Sequence, residues 1–201
     1  FMGYDTLTSV PAWRVRAGQF PGNGNSVMRV VRNPKLTEVV AIKQLLDEAA
    51  GQGLVLSRAL PELYENVRDF YVYVDEAGLG GCVAMHIDMV DLAEVRSLVV
   101  REDLRGKGVG AKLLHAVVDE ARRLEIARLY ALTRVPVFFS KNGFHEINKD
   151  ELPYKVFKDC MRCRLFPGCD EVAFALDLSR PEETTMPKEA AAVRPEESYR
   201  K

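Results

Sequence analysis

The sequence predicts an α/β fold in which a central mixed, mostly antiparallel sheet is flanked by helices. Three observations carry this. Helical periodicity gives way to period-two alternation at Phe70, an apolar strand then runs into a glycine-rich turn and a helix over 94–124, and a further strand follows at 127–133. The 201 residues suffice for one well-cored domain. Its expected bounds are 27–178, between a loose arm at 1–26 and a tail at 179–201 that is rich in charge and proline and lacks a core stripe.

Taken in order, Val27–Val31 reads as a short first strand stopped by Asn33-Pro34. Leu36, Val39, Val40, Ile42, Leu45, Leu46 and Ala49 then recur at helical spacing until Gly51 and Gly53. A second short helix is expected over Pro61–Val67. Phe70–Val74 and Cys82–Met89 form a hairpin around the turn Asp75–Gly81, with a third antiparallel strand at Ala93–Val100. Leu113, Leu114, Val117, Ala121 and Leu124 mark the buried face of a helix, and Ala127–Thr133 a strand parallel to the third, joined by a right-handed crossover. Val137–Asn142 reads as one or two helical turns, and Phe144–Asn148 and Glu171–Leu178 as the last strands.

Composition narrows the function. A net charge of −1 gives no general basic field, so nucleic acid is not an expected partner. No apolar run is long enough to cross a bilayer and no signal-peptide pattern opens the chain, so a cytoplasmic protein without a membrane partner is expected. A homodimer is left open.

The richest stretch is Glu94-Val-Arg-Ser-Leu-Val-Val-Arg-Glu-Asp-Leu-Arg-Gly-Lys-Gly-Val-Gly-Ala111. A glycine turn entering a helix leaves backbone N–H groups unpaired at one spot, which is a phosphate site. A Walker loop is excluded because no hydroxyl follows Gly106-Lys107. Gly106, Gly108 and Ala111 satisfy the dinucleotide pattern, but Thr133 and Arg134 stand where its ribose-binding acid belongs.

Arg105-Gly-Lys-Gly-Val-Gly110 resembles the R/Q-x-x-G-x-G/A loop of the GNAT superfamily of N-acetyltransferases, and the order of elements over 27–178 is similar to the GNAT fold. The resemblance implies acetyl-CoA as co-substrate, its pyrophosphate held by Arg105, Gly106, Lys107, Gly108, Val109, Gly110 and Ala111. Leu98, Val99 and Val100 would offer backbone groups to the pantetheine arm, with the Val99 N–H stabilising the oxyanion. Glu94 stands where many members carry the general base, and strand alternation turns its neighbours Ala93 and Val95 to the opposite face. Phe139, also placed at the cofactor site, occupies the position of the Tyr that protonates the leaving thiolate in many members, so Tyr154 or Tyr64 would have to serve, or no acid is needed.

Four cations fall near the expected acceptor cleft: Arg58, Arg96, Arg134 and Lys155. Arginine forks clamp carboxylates, so the set points to an acceptor with two of them. Leu132-Thr-Arg134, Phe138-Phe139, Asn142-Gly-Phe144, Glu151-Leu-Pro-Tyr-Lys155, Lys158-Asp-Cys-Met-Arg-Cys163 and Cys169-Asp-Glu171 together resemble the short form of N-acetylglutamate synthase. That resemblance implies L-glutamate as acceptor and assigns its carboxylates to Arg58 and Arg134. Arg96 and Lys155 are added from position alone. The kinase-like domain of the longer synthases is not expected ahead of Val27, nor is arginine feedback through it.

No metal is predicted. The spacing of Cys160, Cys163 and Cys169 keeps zinc as an alternative, beside free thiols or a disulfide, with Asp170 and His145 as weak fourth ligands. Cys82 reads as a small buried apolar residue, and His86, His115 and His145 as structural.

Overall fold

A computed structural model describes residues 29–152, 155, 159–163 and 166–178. The expected arm at 1–26, the start of the first strand at Val27, Tyr154, Lys158 and the tail at 179–201 lie outside the described residues. Among those described, no helix is long and apolar enough to cross a membrane.

The chain forms β1 (Val30–Arg32), α1 (Val39–Gly51), α2 (Leu60–Glu65), β2 (Phe70–Asp75), β3 (Gly78–Met89), β4 (Leu92–Val100), α3 (Val109–Arg123), β5 (Arg128–Thr133), α4 (Pro136–Lys141), β6 (His145–Ile147) and β7 (Val172–Asp177). Single 3-10 turns stand at Leu36–Glu38, ahead of α1, and at Val67–Asp69, after α2. The strands make one sheet in the order β1-β2-β3-β4-β5-β7-β6. Among the described residues only β4 and β5 run parallel, as their helical crossover through α3 requires.

Each helical stripe packs against one sheet face. On α1, Val39, Ile42, Leu45, Leu46 and Ala49 are buried against Phe70, Val72, Cys82, Ala84 and Val99. Leu36 and Val40, counted in the same periodicity, are exposed. On α3, Val109, Leu113, Leu114, Val117, Val118 and Ala121 close over Val83, Met85, Ala93 and Val95 on the other face. Leu124, the expected end of that stripe, caps the helix and is exposed.

The glycine run after β2 is strand, not loop. The turn is tight, with the Ala77 N–H donating to Asp75 Oδ1 at 2.9 Å, and β3 already begins at Gly78. Its glycines serve close approach. A Cβ on Gly81 would lie 2.9 Å from Leu113 Cδ1 and 3.0 Å from the Val99 carbonyl oxygen, so the absence of a side chain lets α3 and β4 meet β3 there.

Two irregularities then open the sheet. β4 pairs with β5 only over Leu92–Glu94, opposite Arg128–Tyr130, and runs on to Val100 after that pairing ends. On its other edge, Ala84 faces Arg96 but Cys82 faces Val99, so β4 carries one extra residue, with Ser97 in the left-handed region at φ 56°. This is a β-bulge. Before it, Ala93 and Val95 face α3; after it, Leu98 and Val100 do, and Val99 joins the α1 side.

Substituting Gly81→Ala is expected to destabilise the protein by about 1–3 kcal/mol through overpacking. Urea unfolding should show a lower midpoint with unchanged slope; a midpoint equal to wild type would show that Leu113 gives way freely.

Candidate active site

The stretch after β4 makes a 3-10 turn at Glu102–Leu104 and then enters α3 through two glycines held at positive φ, Gly106 at 75° and Gly108 at 80°. A Cβ at either would meet nothing, so glycine is required here for its backbone angle. Gly110 is different: its Cβ would lie 3.2 Å from the Phe138 ring. The first intrahelical bond is Lys112 N–H to the Gly108 carbonyl at 3.1 Å, which leaves the amides of Val109, Gly110 and Ala111 at the positive end of the helix dipole without helical acceptors. Lys107 adds an exposed cation beside them. Arg105 is anchored, donating from Nε to the Val100 carbonyl at 3.1 Å and from its terminal nitrogen to Gln52 Oε1 at 3.3 Å. The loop has the donors, the field and the cleared backbone that a pyrophosphate needs.

Val99, the expected oxyanion donor, is paired with Cys82 on β3, and the Arg101 N–H, two residues on, points to the same strand, to the Gly80 carbonyl at 2.9 Å. Strand alternation therefore turns the Leu98 and Val100 amides to the edge that β5 leaves. Burial pushes the Cys82 thiol up to about 12, so it is an inert core group.

Where β4 leaves β5, a cleft of about 840 Å³ opens, lined by Glu94, Arg96, Ser97 and Leu98 from β4, Arg58 from the α1–α2 connection, Thr133 and Arg134 at the end of β5, and Lys155. Glu94 and all four predicted cations thus share one cavity. Glu94 is 5% exposed, and its Oε2 accepts from Lys155 Nζ at 2.7 Å, with Arg96 at 4.0 Å. Lys155 also donates to Asp159 Oδ2 at 2.8 Å. Burial works against the Lys155 charge, but Glu94 and Asp159 outweigh it and hold its pKa above the usual lysine value. Lys155 is therefore first a partner of Glu94, whereas position alone had made it a carboxylate clamp.

The arginines are also engaged. Arg58 donates from Nε to Ser97 Oγ at 3.0 Å and pairs with Glu62 one helical turn on. Arg134 bonds Asp170 Oδ1 at 2.7 Å and the Gly53 carbonyl at 3.2 Å, with Glu171 at 3.8 Å. Arg96 lies 3.8 Å from Asp69, and burial followed by repulsion from Arg58 lowers its pKa.

Phe139 is buried in edge-to-face contact with Phe138 and Phe144, each at 5.3 Å, and brings no proton to the cleft it helps line. Tyr64 is 43% exposed and is not among the cleft residues. Tyr130, fully buried and opposite Glu94 in the parallel register, donates its hydroxyl to Asp88; burial, then the charge of Glu94, raises its pKa and keeps it neutral. Cys160, Cys163 and Cys169 line the same cleft, yet among the described residues no three His, Cys, Asp or Glu side chains come together as a metal group, so the zinc alternative finds no support. Asp170 is bonded to Arg134, and His145 faces Asp177 at 3.7 Å.

Three residues at this site escaped sequence reasoning. Ser97 forms the bulge and anchors Arg58. Asp159 holds Lys155 from one helical turn away. His86, read as structural, lies on β3 opposite Glu94 of β4 and lines the cleft. Period-two counting along β3 could have found it once the hairpin register was known.

Residues 65–146 match the acetyltransferase (GNAT) domain. An N-acetyltransferase of Chlorobaculum tepidum is 34% identical over 148 residues, which cover 74% of this chain and 96% of that protein. An amino-acid acetyltransferase of Mycobacterium tuberculosis is 36% identical over 66% of this chain and 78% of its own length. Among solved structures, Rv2747 of M. tuberculosis, in complex with CoA and NLQ, superposes with a TM-score of 0.66 at 30% identity, covering 75% of this chain and 99% of that one. The N-acetylglutamate synthase of Neisseria gonorrhoeae, complexed with CoA and N-acetyl-glutamate, gives 0.69 at 26% identity, matched over 78% of this chain but only 36% of that longer chain. With the glycine loop, the split sheet and these relatives in agreement, the chain belongs to the GNAT family of N-acetyltransferases.

Proposed function

We propose that this chain transfers the acetyl group of acetyl-CoA to the α-amino group of L-glutamate, the reaction that opens arginine biosynthesis. The observation that carries the reading is the single cleft in which Glu94 meets Arg58, Arg96, Arg134 and Lys155 beside the free edge of β4. The relatives named for amino-acid acetylation support it.

Each part has a task. The loop amides and the α3 dipole hold the pyrophosphate, and the pantetheine arm lies along β4 beyond the split. The acceptor enters as an ammonium, which has no lone pair, and gives one proton through a water to Glu94. The freed amine attacks the thioester carbonyl. Negative charge gathers on the carbonyl oxygen, where an amide of Leu98 or Val100 meets it. As the C–S bond breaks, the attacking nitrogen, now cationic, gives up its second proton to solvent, leaving the N-acetyl amino acid and CoA thiolate; the thiolate takes a proton from solvent, and Glu94 returns its own to solvent. Arg58 and Arg134 hold the acceptor's carboxylates, and Lys155 holds the Glu94 carboxylate in position.

A second reading, an acceptor with a neutral side chain such as glutamine, rests on Arg134 already carrying Asp170 and Glu171. Release of free CoA thiol, compared with glutamate, glutamine, aspartate and spermidine, separates them. Glutamate is expected to be preferred. Arg134→Ala should raise its KM by about 10- to 100-fold, the worth of a charged hydrogen-bond pair, and Glu94→Gln should lower kcat by about 10²-fold or more. Preference for glutamine would move the assignment to the second reading, and preference for spermidine would overturn the carboxylate clamp.

Lys155→Met makes a separate test. As the partner of Glu94, Lys155 should show its loss in kcat with KM little changed; a change confined to KM for glutamate would return it to the clamp.

A further inference from the structure

We infer that the Glu62 carboxylate stands in for the acceptor's carboxylate on Arg58: it grips the end of the guanidinium fork that the acceptor must take, and so sets how tightly the acceptor binds. The inference rests on the acetyl-transfer reading, in which Arg58 holds an acceptor carboxylate.

A carboxylate can take a guanidinium at two points either along the side made by Nε and Nη2 or across the end made by Nη1 and Nη2. Both places have a partner. On the side, Arg58 Nε donates to Ser97 Oγ at 3.0 Å; at the end, Arg58 Nη1 donates to Glu62 Oε1. Ser97 and Glu62 line the cleft with Arg58.

The two partners differ in kind. Ser97 is neutral and sits on the β-bulge, where its backbone is set at φ 56° and one torsion places its oxygen. It is a fixed anchor. Glu62 is charged, four residues on from Arg58, and its side chain is 39% exposed against 22% for the arginine, so its carboxylate can turn into water at small cost. It is the partner that leaves. An arriving carboxylate then takes the end of a fork that Ser97 still aims.

The exchange also preserves the local charge. Burial, then repulsion from Arg58, lowers the Arg96 pKa, and Glu62 works in the other direction. One carboxylate therefore serves two neighbouring arginines, and a second must replace it when it turns away. The gain at Arg58 is the difference between two similar contacts, not the whole of one.

The test compares wild type with Glu62→Gln, which keeps the length of the side chain and removes its charge, in acetyl transfer to glutamate and in inhibition by glutarate. Glutarate has both carboxylates and no amine, so it reports binding apart from chemistry. KM for glutamate and the inhibition constant of glutarate should both fall by about 2- to 5-fold, the worth of an exposed ion pair, with the gain carried by KM and not by kcat. Tighter binding is not what a damaged fold produces. In an Arg58→Ala background the same substitution should change neither constant. Unchanged or raised constants in Glu62→Gln, or an equal gain in the Arg58→Ala background, would overturn the inference while acetyl transfer to glutamate by wild type stands. Wild-type protein that acetylates no amino acid would overturn both.

Discussion

The site depends on the parting of two strands. β4 and β5 share three residue pairs and then separate, because the extra residue at Ser97 bends β4 away while β5 continues to pair with β7 up to Thr133. A parallel sheet closed over this length would bury its backbone groups in hydrogen bonds. Opened, it presents unpaired amides of β4 along one edge, an arrangement that favours a ligand with its own carbonyls and amides. The bulge also resets the alternation of the strand. Val99, an odd number of residues beyond Glu94, is kept by the extra residue on the same face as Glu94 and Arg96 and buries there with α1, while Glu94 and Arg96 enter the cleft.

The cleft is charged yet balanced. Arg58, Arg96, Arg134 and Lys155 are matched by Glu62, Glu94, Asp159 and Glu171 on the same wall. The half-exposed pairs, such as Arg58 with Glu62, are worth little to stability and are readily exchanged for a substrate carboxylate. The Glu94–Lys155 pair is almost buried on both sides and is costly to break, because either partner alone would be an uncompensated charge. This difference divides the cations by function: rim arginines can change partners, and Lys155 cannot. On the proposed reading, specificity comes from which acceptor repays the exchange at Arg58 and Arg134, not from the count of cations.

Much of the architecture was legible because local rules set it. The change from helical to alternating period located α1 and the β2–β3–β4 meander, and the glycine turn located the start of α3. What was hidden is non-local. Ser97 gave no sign of a bulge, since a serine at positive φ is sustained by the strands around it and not by its own preference. The shift it imposes sets Val99 opposite Cys82 on β3. Gly78–Gly81 was read as a turn because glycine usually marks one, whereas here it clears space for Leu113 and the Val99 carbonyl. Lys155 lines the cleft with the three arginines, but its tie to Glu94 spans 61 residues of chain. Likewise, nothing in the order of the strands reveals that β7 inserts between β5 and β6.

Phe139, where related enzymes place a tyrosine, need not stop the chemistry. A thiol ionises near about 8.5, so expelling CoA as thiolate at pH 7 costs roughly 2 kcal/mol relative to thiol, far less than expelling an alkoxide. Protonation can follow bond cleavage instead of accompanying it. The proton leaving the acceptor ammonium has no such latitude, since attack cannot begin until the nitrogen has its lone pair. The polar investment of this cleft matches that asymmetry. Acid and base groups gather around Glu94, whereas Phe138, Phe139 and Phe144 form an edge-to-face aromatic cluster that packs against the sheet and carries no titratable group.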